Sequence, residues 1–183
     1  MDHADHVRLL REGVTRGGTW ADLGAGTGAF TLALAELVGT AGNVIAVDRD
    51  RRALRELERA LRPGGAAVRT LAADFTKPID LPALDGVVMA NSLHFVKDKV
   101  PVLALVHRLL EPSGRLLLVE YDADRGNQWV PHPLSFETWR ALADSNGFRR
   151  TRKLGSVPSR FLGRIYSAVS EAEARWTQKG PDL

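Results

Sequence analysis

Five apolar runs, at residues 19–23, 43–48, 68–74, 86–90 and 115–120, punctuate the chain, and segments of helical periodicity fill most of the intervals. A strand that is apolar along its whole length is buried on both faces, and strands alternating with helices call for a parallel sheet covered on both sides. The fold class this predicts is α/β, a doubly wound parallel sheet with helices on both faces. A short amphipathic helix is expected first, over residues 5–13, with Val7, Leu9, Leu10 and Val14 on its apolar side. The next helix, 27–38, is apolar nearly all round and ends at Gly39. Residues 50–62 place Leu54, Leu57 and Leu61 on one face before Pro63-Gly64-Gly65, and residues 101–110 form a helix that stops before Pro112-Ser113-Gly114. A proline-containing loop joins the third and fourth runs.

Beyond Tyr121 the pattern changes to a polar loop reaching Pro133, a helix over 135–146, and two strand-like runs at 150–157 and 163–170. Only residues 158–162 separate the last two runs, too few for a right-handed crossover, so they are expected to pair antiparallel. The tail from Trp176 to Leu183 is expected to fray.

Composition narrows the function. The 183 residues suit one domain, and 44% hydrophobic with 26% charged residues is ordinary globular usage. The chain has no cysteine, which excludes disulfides, thiolate metal sites and thiol nucleophiles. Its apolar runs fall well short of the roughly 18 residues of a membrane span. The acidic start, Met1-Asp2-His3-Ala4-Asp5-His6, is unlike a secretory signal, so a cytoplasmic location is expected. The net charge of +3 comes from 25 basic and 22 acidic residues, a mixed surface. Residues 140–164 carry seven basic side chains against Asp144 alone. That excess reads first as a solvated face and second as a surface for an anionic substrate. The five histidines show no convincing ligand spacing, and no metal is assigned.

The most informative segment is Asp22-Leu23-Gly24-Ala25-Gly26-Thr27-Gly28, where the first strand turns into a helix. Glycines there let the backbone turn tightly and let a ligand approach the peptide, with the positive end of the helix behind it. A glycine triplet alone also satisfies a looser dinucleotide fingerprint. Asp48 closes the second strand, with Arg49 beside it, where a carboxylate can accept from both ribose hydroxyls. Asp74 closes the third, next to Phe75, a pairing that suits an adenine amino group and ring face. With Asp22, three carboxylates end three adjacent strands and would surround a cationic ligand better than a pyrophosphate.

These motifs together resemble the class I S-adenosylmethionine-dependent methyltransferases. The glycine segment matches the family's first motif, Val47-Asp48 its second and Ala73-Asp74-Phe75 its third. The segment from Leu84 to Val96 matches its fourth loosely, and Leu110 to Val119 looks like its helix-to-fifth-strand passage. The resemblance covers roughly residues 19–170. It implies a Rossmann-like, seven-stranded, mostly parallel sheet with a reversed last strand. It divides the single domain into an N-terminal helical cover (1–18), a cofactor-binding half (19–122), and a substrate loop, helix and antiparallel pair (123–175).

By the resemblance the cofactor is S-adenosyl-L-methionine. Gly24, Gly26 and Gly28 would lie against its methionine and ribose. Asp22 would help hold its amino end through water, Asp48 with Arg49 would serve the ribose, and Asp74 with Phe75 the adenine. Asn91 and Ser92 would line the methionine end. Transfer from a sulfonium can be driven by orientation alone, worth up to about 7–11 kcal/mol, so a catalytic side chain is optional. His94 is the candidate general base, set against the plainer reading of a surface or substrate-packing histidine.

The segment Asn91-Ser92-Leu93-His94 departs from the motif of amino-base methylases, and the lack of cysteine argues against arsenite methylases. Residues 91–96 resemble the quinone-biosynthesis C-methyltransferase group. A small or medium-sized acceptor is expected, with the polar segment Gly126 to Pro133 as part of its wall. The alternatives are an RNA methyltransferase using the basic C-terminal region, an NAD-type oxidoreductase, or a cofactor-binding regulatory protein without turnover. Oligomeric state is not legible.

Overall fold

A computed structural model describes residues 1–174, so the expectation for the tail from Trp176 onward lies outside the described residues. The elements are α1 (His3–Leu10), β1 (Gly18–Leu23), α2 (Ala29–Val38), β2 (Gly42–Asp48), α3 (Arg51–Ala60), β3 (Ala67–Ala72), β4 (Leu84–Ala90), a 3-10 turn (Leu93–Phe95), α4 (Val100–Leu109), β5 (Leu110–Tyr121), α5 (Phe136–Asp144), β6 (Phe148–Ser159) and β7 (Gly163–Ala172). The strands form one seven-stranded sheet in the order β3-β2-β1-β4-β5-β7-β6. β7 runs antiparallel to both β5 and β6, and the other pairings are parallel, as expected. The chain builds outward from β1 to β3, then returns to lay β4 on the other side of β1. That reversal opens a crevice at the C-terminal edge of the sheet, where such folds bind ligands.

Alternate residues of each central strand feed two cores. On one face Ile45, Val47, Val87, Met89, Leu116 and Leu118 pack against α4 and α5 through Leu103, Val106 and Trp139. On the other, Trp20, Val88, Leu117 and Val119 pack against α1 and α2 through Leu9, Leu10 and Leu34. α3 covers the same side over β2, where Leu54 and Leu57 meet Ala46. Trp20 is accommodated because its neighbour across the β1–β4 pairing is Gly86, where any Cβ would collide with the indole.

Three boundaries differ from the sequence reading for physical reasons. α1 starts earlier, at His3, because Asp2 and Asp5 form a reciprocal capping box. It lies against α2 and the β6–β7 pair with Val7, Leu9 and Leu10 buried, so it covers a face of the sheet and packs as part of the core. α2 starts at Ala29, after Gly28 at φ 91. β5 begins at Leu110, directly after α4, although Pro112-Ser113-Gly114 reads as a breaker. Leu110 pairs with Leu84 and Arg115 with Gly86, so residues 111–114 bulge out opposite Asp85 alone, with Ser113 at φ 65.

Candidate functional site

Gly24, Gly26, Asp48, Arg49, Asp74, Phe75, Asn91 and Ser92 line one cavity of about 380 Å³ at the C-terminal edge, together with Ala73, Thr76, Phe95 and Val96. Eight of the ten residues expected to hold a cofactor therefore converge. The glycine loop is fastened to the end of β2, since the Gly24 and Ala25 N–H groups both donate to the Val47 carbonyl at 2.8 and 3.0 Å. Gly24 sits at φ 86, and a Cβ there would collide with the Cβ of Ser92. Only glycine lets this loop approach the end of β4 so closely. Ser92 is fixed in turn, its hydroxyl donating to the Leu23 carbonyl at 2.8 Å, while the Asn91 N–H donates to the Val119 carbonyl at 2.8 Å. Asn91 adopts φ 52, and its buried side-chain Oδ1 has no partner among the described residues.

Two carboxylates stand ready on the wall. Asp48 Oδ2 accepts from the Gly26 N–H and Oδ1 from the Asp50 N–H, both at 2.8 Å, which sets the plane of the carboxylate. Asp74 Oδ1 accepts from the N–H and hydroxyl of Thr76 at 2.9 and 2.7 Å. Those bonds hold Asp74 below the usual carboxylate range and leave Oδ2 for a ligand donor. Thr76 was missed in the sequence, although the spacing Asp-x-Thr is the signature of such a turn.

Gly28 and Asp22 stand apart from the wall. A Cβ at Gly28 would strike Leu57, so this glycine serves the close packing of α2 on α3, and it is not among the residues that line the cavity. Asp22 lies beneath the loop, 1% exposed, with Oδ2 accepting from the Thr31 hydroxyl at 2.6 Å and Oδ1 without a partner among the described residues. Burial pushes its carboxyl up to about 6; the Thr31 bond opposes the rise and the nearby Asp48 charge adds to it.

A raised folded value means that folded Asp22 holds its proton more tightly than the unfolded chain does. Its contribution to stability is fully present below pH about 4 and is lost as pH rises to about 6, a loss of about 3 kcal/mol. Denaturant titrations of the ligand-free protein across that range should show this loss, and Asp22→Asn should flatten it. Equal slopes in both proteins would rule the assignment out.

His94 is neither superficial nor free. It is 3% exposed, its Nδ1 lies 2.9 and 3.1 Å from the two oxygens of Glu120, and its backbone N–H donates to Glu120 Oε1 at 3.0 Å. Glu120, fully buried at the end of β5, was not singled out in the sequence because it closes an apolar run. The His94 ring packs on Phe95 and Tyr121, at centroid distances of 4.2 and 5.5 Å. Lys99 donates to the carbonyls of Val96 and His132, and the His132 N–H donates to the His94 carbonyl, so the segment Gly126 to Pro133 is clamped to the turn carrying His94. That segment stands beside the cavity, outside its lining. Much of the C-terminal basic excess is paired: Arg140 with Glu137, Arg150 with Glu171, Arg152 with Glu12 and Lys153 with Asp122.

Comparison with known proteins agrees with this geometry. A family model described as a methyltransferase domain matches residues 21–114, just over half of the chain. The ubiquinone/menaquinone biosynthesis C-methyltransferase UbiE of Citrobacter koseri is 35% identical over 148 residues, covering 79% of this chain and 55% of that protein. The protein of the same name from Azotobacter vinelandii is 36% identical over 112 residues, 60% of this chain and 44% of the other. The chain thus spans about half the length of the curated relatives it matches. Among solved structures, a SAM-dependent methyltransferase from Methanosarcina mazei superposes with a TM-score of 0.70 at 16% identity, covering 91% of this chain and 98% of that one. Another from Aquifex aeolicus gives 0.70 at 22% identity, covering 92% and 89%. The glycine loop, the carboxylates that follow it and the reversed last strand have the same explanation: this chain belongs to the methyltransferase domain family, with the class I fold.

Proposed function

We propose that the chain binds S-adenosyl-L-methionine in the cavity at the end of β1, β2 and β4 and methylates a small or medium-sized acceptor. The observation that carries the reading is the set of carboxylates around the glycine loop. Asp48 has its plane fixed by backbone donors on both oxygens, Asp74 has Oδ1 held by Thr76, and Asp22 beneath them carries an oxygen without a partner among the described residues. The fit with the cofactor is good on this chain's own chemistry. Asp48 would accept from the ribose hydroxyls and Asp74 Oδ2 from the adenine amino group, with Phe75 against the ring. The orphaned oxygens of Asn91 and Asp22 would take the ammonium end, Asp22 through water. When bound, the cofactor supplies a methyl group already activated on sulfur.

The chain's part is then to orient the acceptor and to take its proton. His94 is the proposed base, because Glu120 holds Nδ1 and leaves Nε2 as the ring nitrogen for an acceptor proton. Glu120 is a positioning residue that also steadies the charge His94 acquires. The relatives' name supports a quinone-type acceptor, and the pairing of the C-terminal arginines with acids supports a small molecule over RNA.

Titration calorimetry tests the cofactor. S-Adenosylmethionine and S-adenosylhomocysteine should bind and NADH should not; the reverse result would overturn the reading. Asp48→Ala should weaken binding by about 1–3 kcal/mol, the cost of lost charge-assisted hydrogen bonds. An unchanged affinity would remove Asp48 from the ribose.

A further inference from the structure

Apart from Met1, the exposed large hydrophobic side chains among the described residues are Phe95, Trp129 and Phe161, at 63%, 65% and 60% exposure. Scattered exposed rings are ordinary, but these three share one edge of the molecule. Phe95 follows β4, Trp129 lies in the loop after β5, and Phe161 sits in the turn between β6 and β7. Strands β4, β5, β7 and β6 are consecutive in the sheet, and all three segments leave its C-terminal edge. A line of ring contacts joins Phe95 to Phe161, running from Phe95 to His94, from His94 to Tyr121, and from Tyr121 to Phe161 at 6.4 Å.

The rings are held outward by ordered backbone. Asn127 Oδ1 accepts from the N–H groups of Trp129 and Val130 at 2.9 Å, so Val130 is buried while its neighbour Trp129 projects. The Phe161 N–H is likewise held by the Ser159 hydroxyl.

Charge along this edge is sorted by sign. The acidic side chains here are engaged by the protein's own donors: Asp98 Oδ1 accepts from the Val100 N–H, Asp124 accepts from the Ser135 N–H, and Asp122 accepts from the Phe136 N–H and pairs with Lys153. Lys97, Arg125 and Arg160, each within four residues of an exposed ring, form no salt bridge among the described residues. Exposed Trp and Phe interleaved with unpaired cations suit the boundary of an anionic bilayer, where rings enter the headgroup region and cations meet phosphate.

We propose that the β4–β5–β7–β6 end of the C-terminal edge is a docking surface for a bilayer carrying anionic phospholipid. No helix among the described residues is long and apolar enough to cross a membrane, so the contact is peripheral. Because Phe95 belongs both to this strip and to the cavity wall, docking would turn the acceptor side of the site toward lipid. The surface itself is inferred from rings and charges and stands independently of the methyl-transfer reading.

Flotation of the full chain with vesicles tests it. The protein should float with mixed phosphatidylcholine and phosphatidylglycerol vesicles, weakly with phosphatidylcholine alone, and less as salt rises. Trp129→Ser with Phe161→Ser should lower the bound fraction at least tenfold. Each lost cation should cost about fivefold, so Arg125→Glu with Arg160→Glu should abolish flotation. Calorimetry with S-adenosylhomocysteine should be unchanged in both variants, which keeps a failure of the cofactor reading separate from a failure of docking. Equal flotation on neutral and anionic vesicles, or flotation indifferent to the substitutions, would overturn the proposal. So would a lipid-free dimer that the substitutions dissociate, which would assign the strip to a second copy of the chain.

Discussion

His94→Ala is expected to lower turnover by a factor of about 10²–10⁴, the range that a positioned general base supplies, while leaving cofactor affinity nearly unchanged. The two effects separate because His94 is not among the residues that line the cavity, although its ring packs on Phe95, which is. Glu120→Gln is the companion test. It preserves the volume of a fully buried side chain and keeps one carbonyl oxygen to accept from the His94 N–H, so the fold should persist. It removes the negative charge next to Nδ1, so an imidazolium formed as the acceptor loses its proton has no anion beside it. Turnover should fall because the developing imidazolium is no longer balanced, while cofactor affinity stays near that of the parent. A merely structural role for Glu120 would lower stability without lowering the turnover of the folded protein. Turnover of His94→Ala within threefold of the parent would leave methyl transfer to orientation alone.

What the sequence discloses follows from which constraints are local. The strands are legible because a strand buried on two faces has no polar position to spare, as in 43–48, which becomes Gly42–Asp48. Gly24, Asp48 and Asp74 are legible because each depends on its place at a strand end, a feature of spacing along the chain. Glu120 is not, since its meaning lies in His94, 26 residues earlier and one strand over, and no periodicity joins the two. The depth of Asp22 is set by Thr31 and the helix that carries it. The packing role of Gly28 is hidden in the same way, because Leu57, which a Cβ there would strike, comes from α3. The start of β5 is obscured because a proline and a serine at positive φ can be absorbed by a bulge when the partner strand skips a single residue.

The three glycines of the loop give the sharpest separation of fold from site. Gly24→Ala should reduce cofactor affinity more than a hundredfold and also cost about 1–3 kcal/mol of stability, the usual penalty for overpacking. The new Cβ has no room to yield. On one side the Gly24 N–H is tied to Val47, and on the other Ser92 is held through Leu23 and Asn91 through Val119, so any relief must separate the loop from the end of β4. Gly26→Ala differs, because a Cβ there meets nothing within 4 Å. Its penalty is the left-handed backbone at φ 54, about 1–2 kcal/mol, together with a methyl group in space a ligand would use. Gly28→Ala should lose stability against Leu57 with much less effect on binding, since Gly28 lies off the cavity wall. Thermal melts and calorimetry on the three variants should therefore rank them differently in the two measurements. Gly24→Ala that bound S-adenosylhomocysteine within threefold of the parent would mean that the close approach of loop and strand is not what shapes the site.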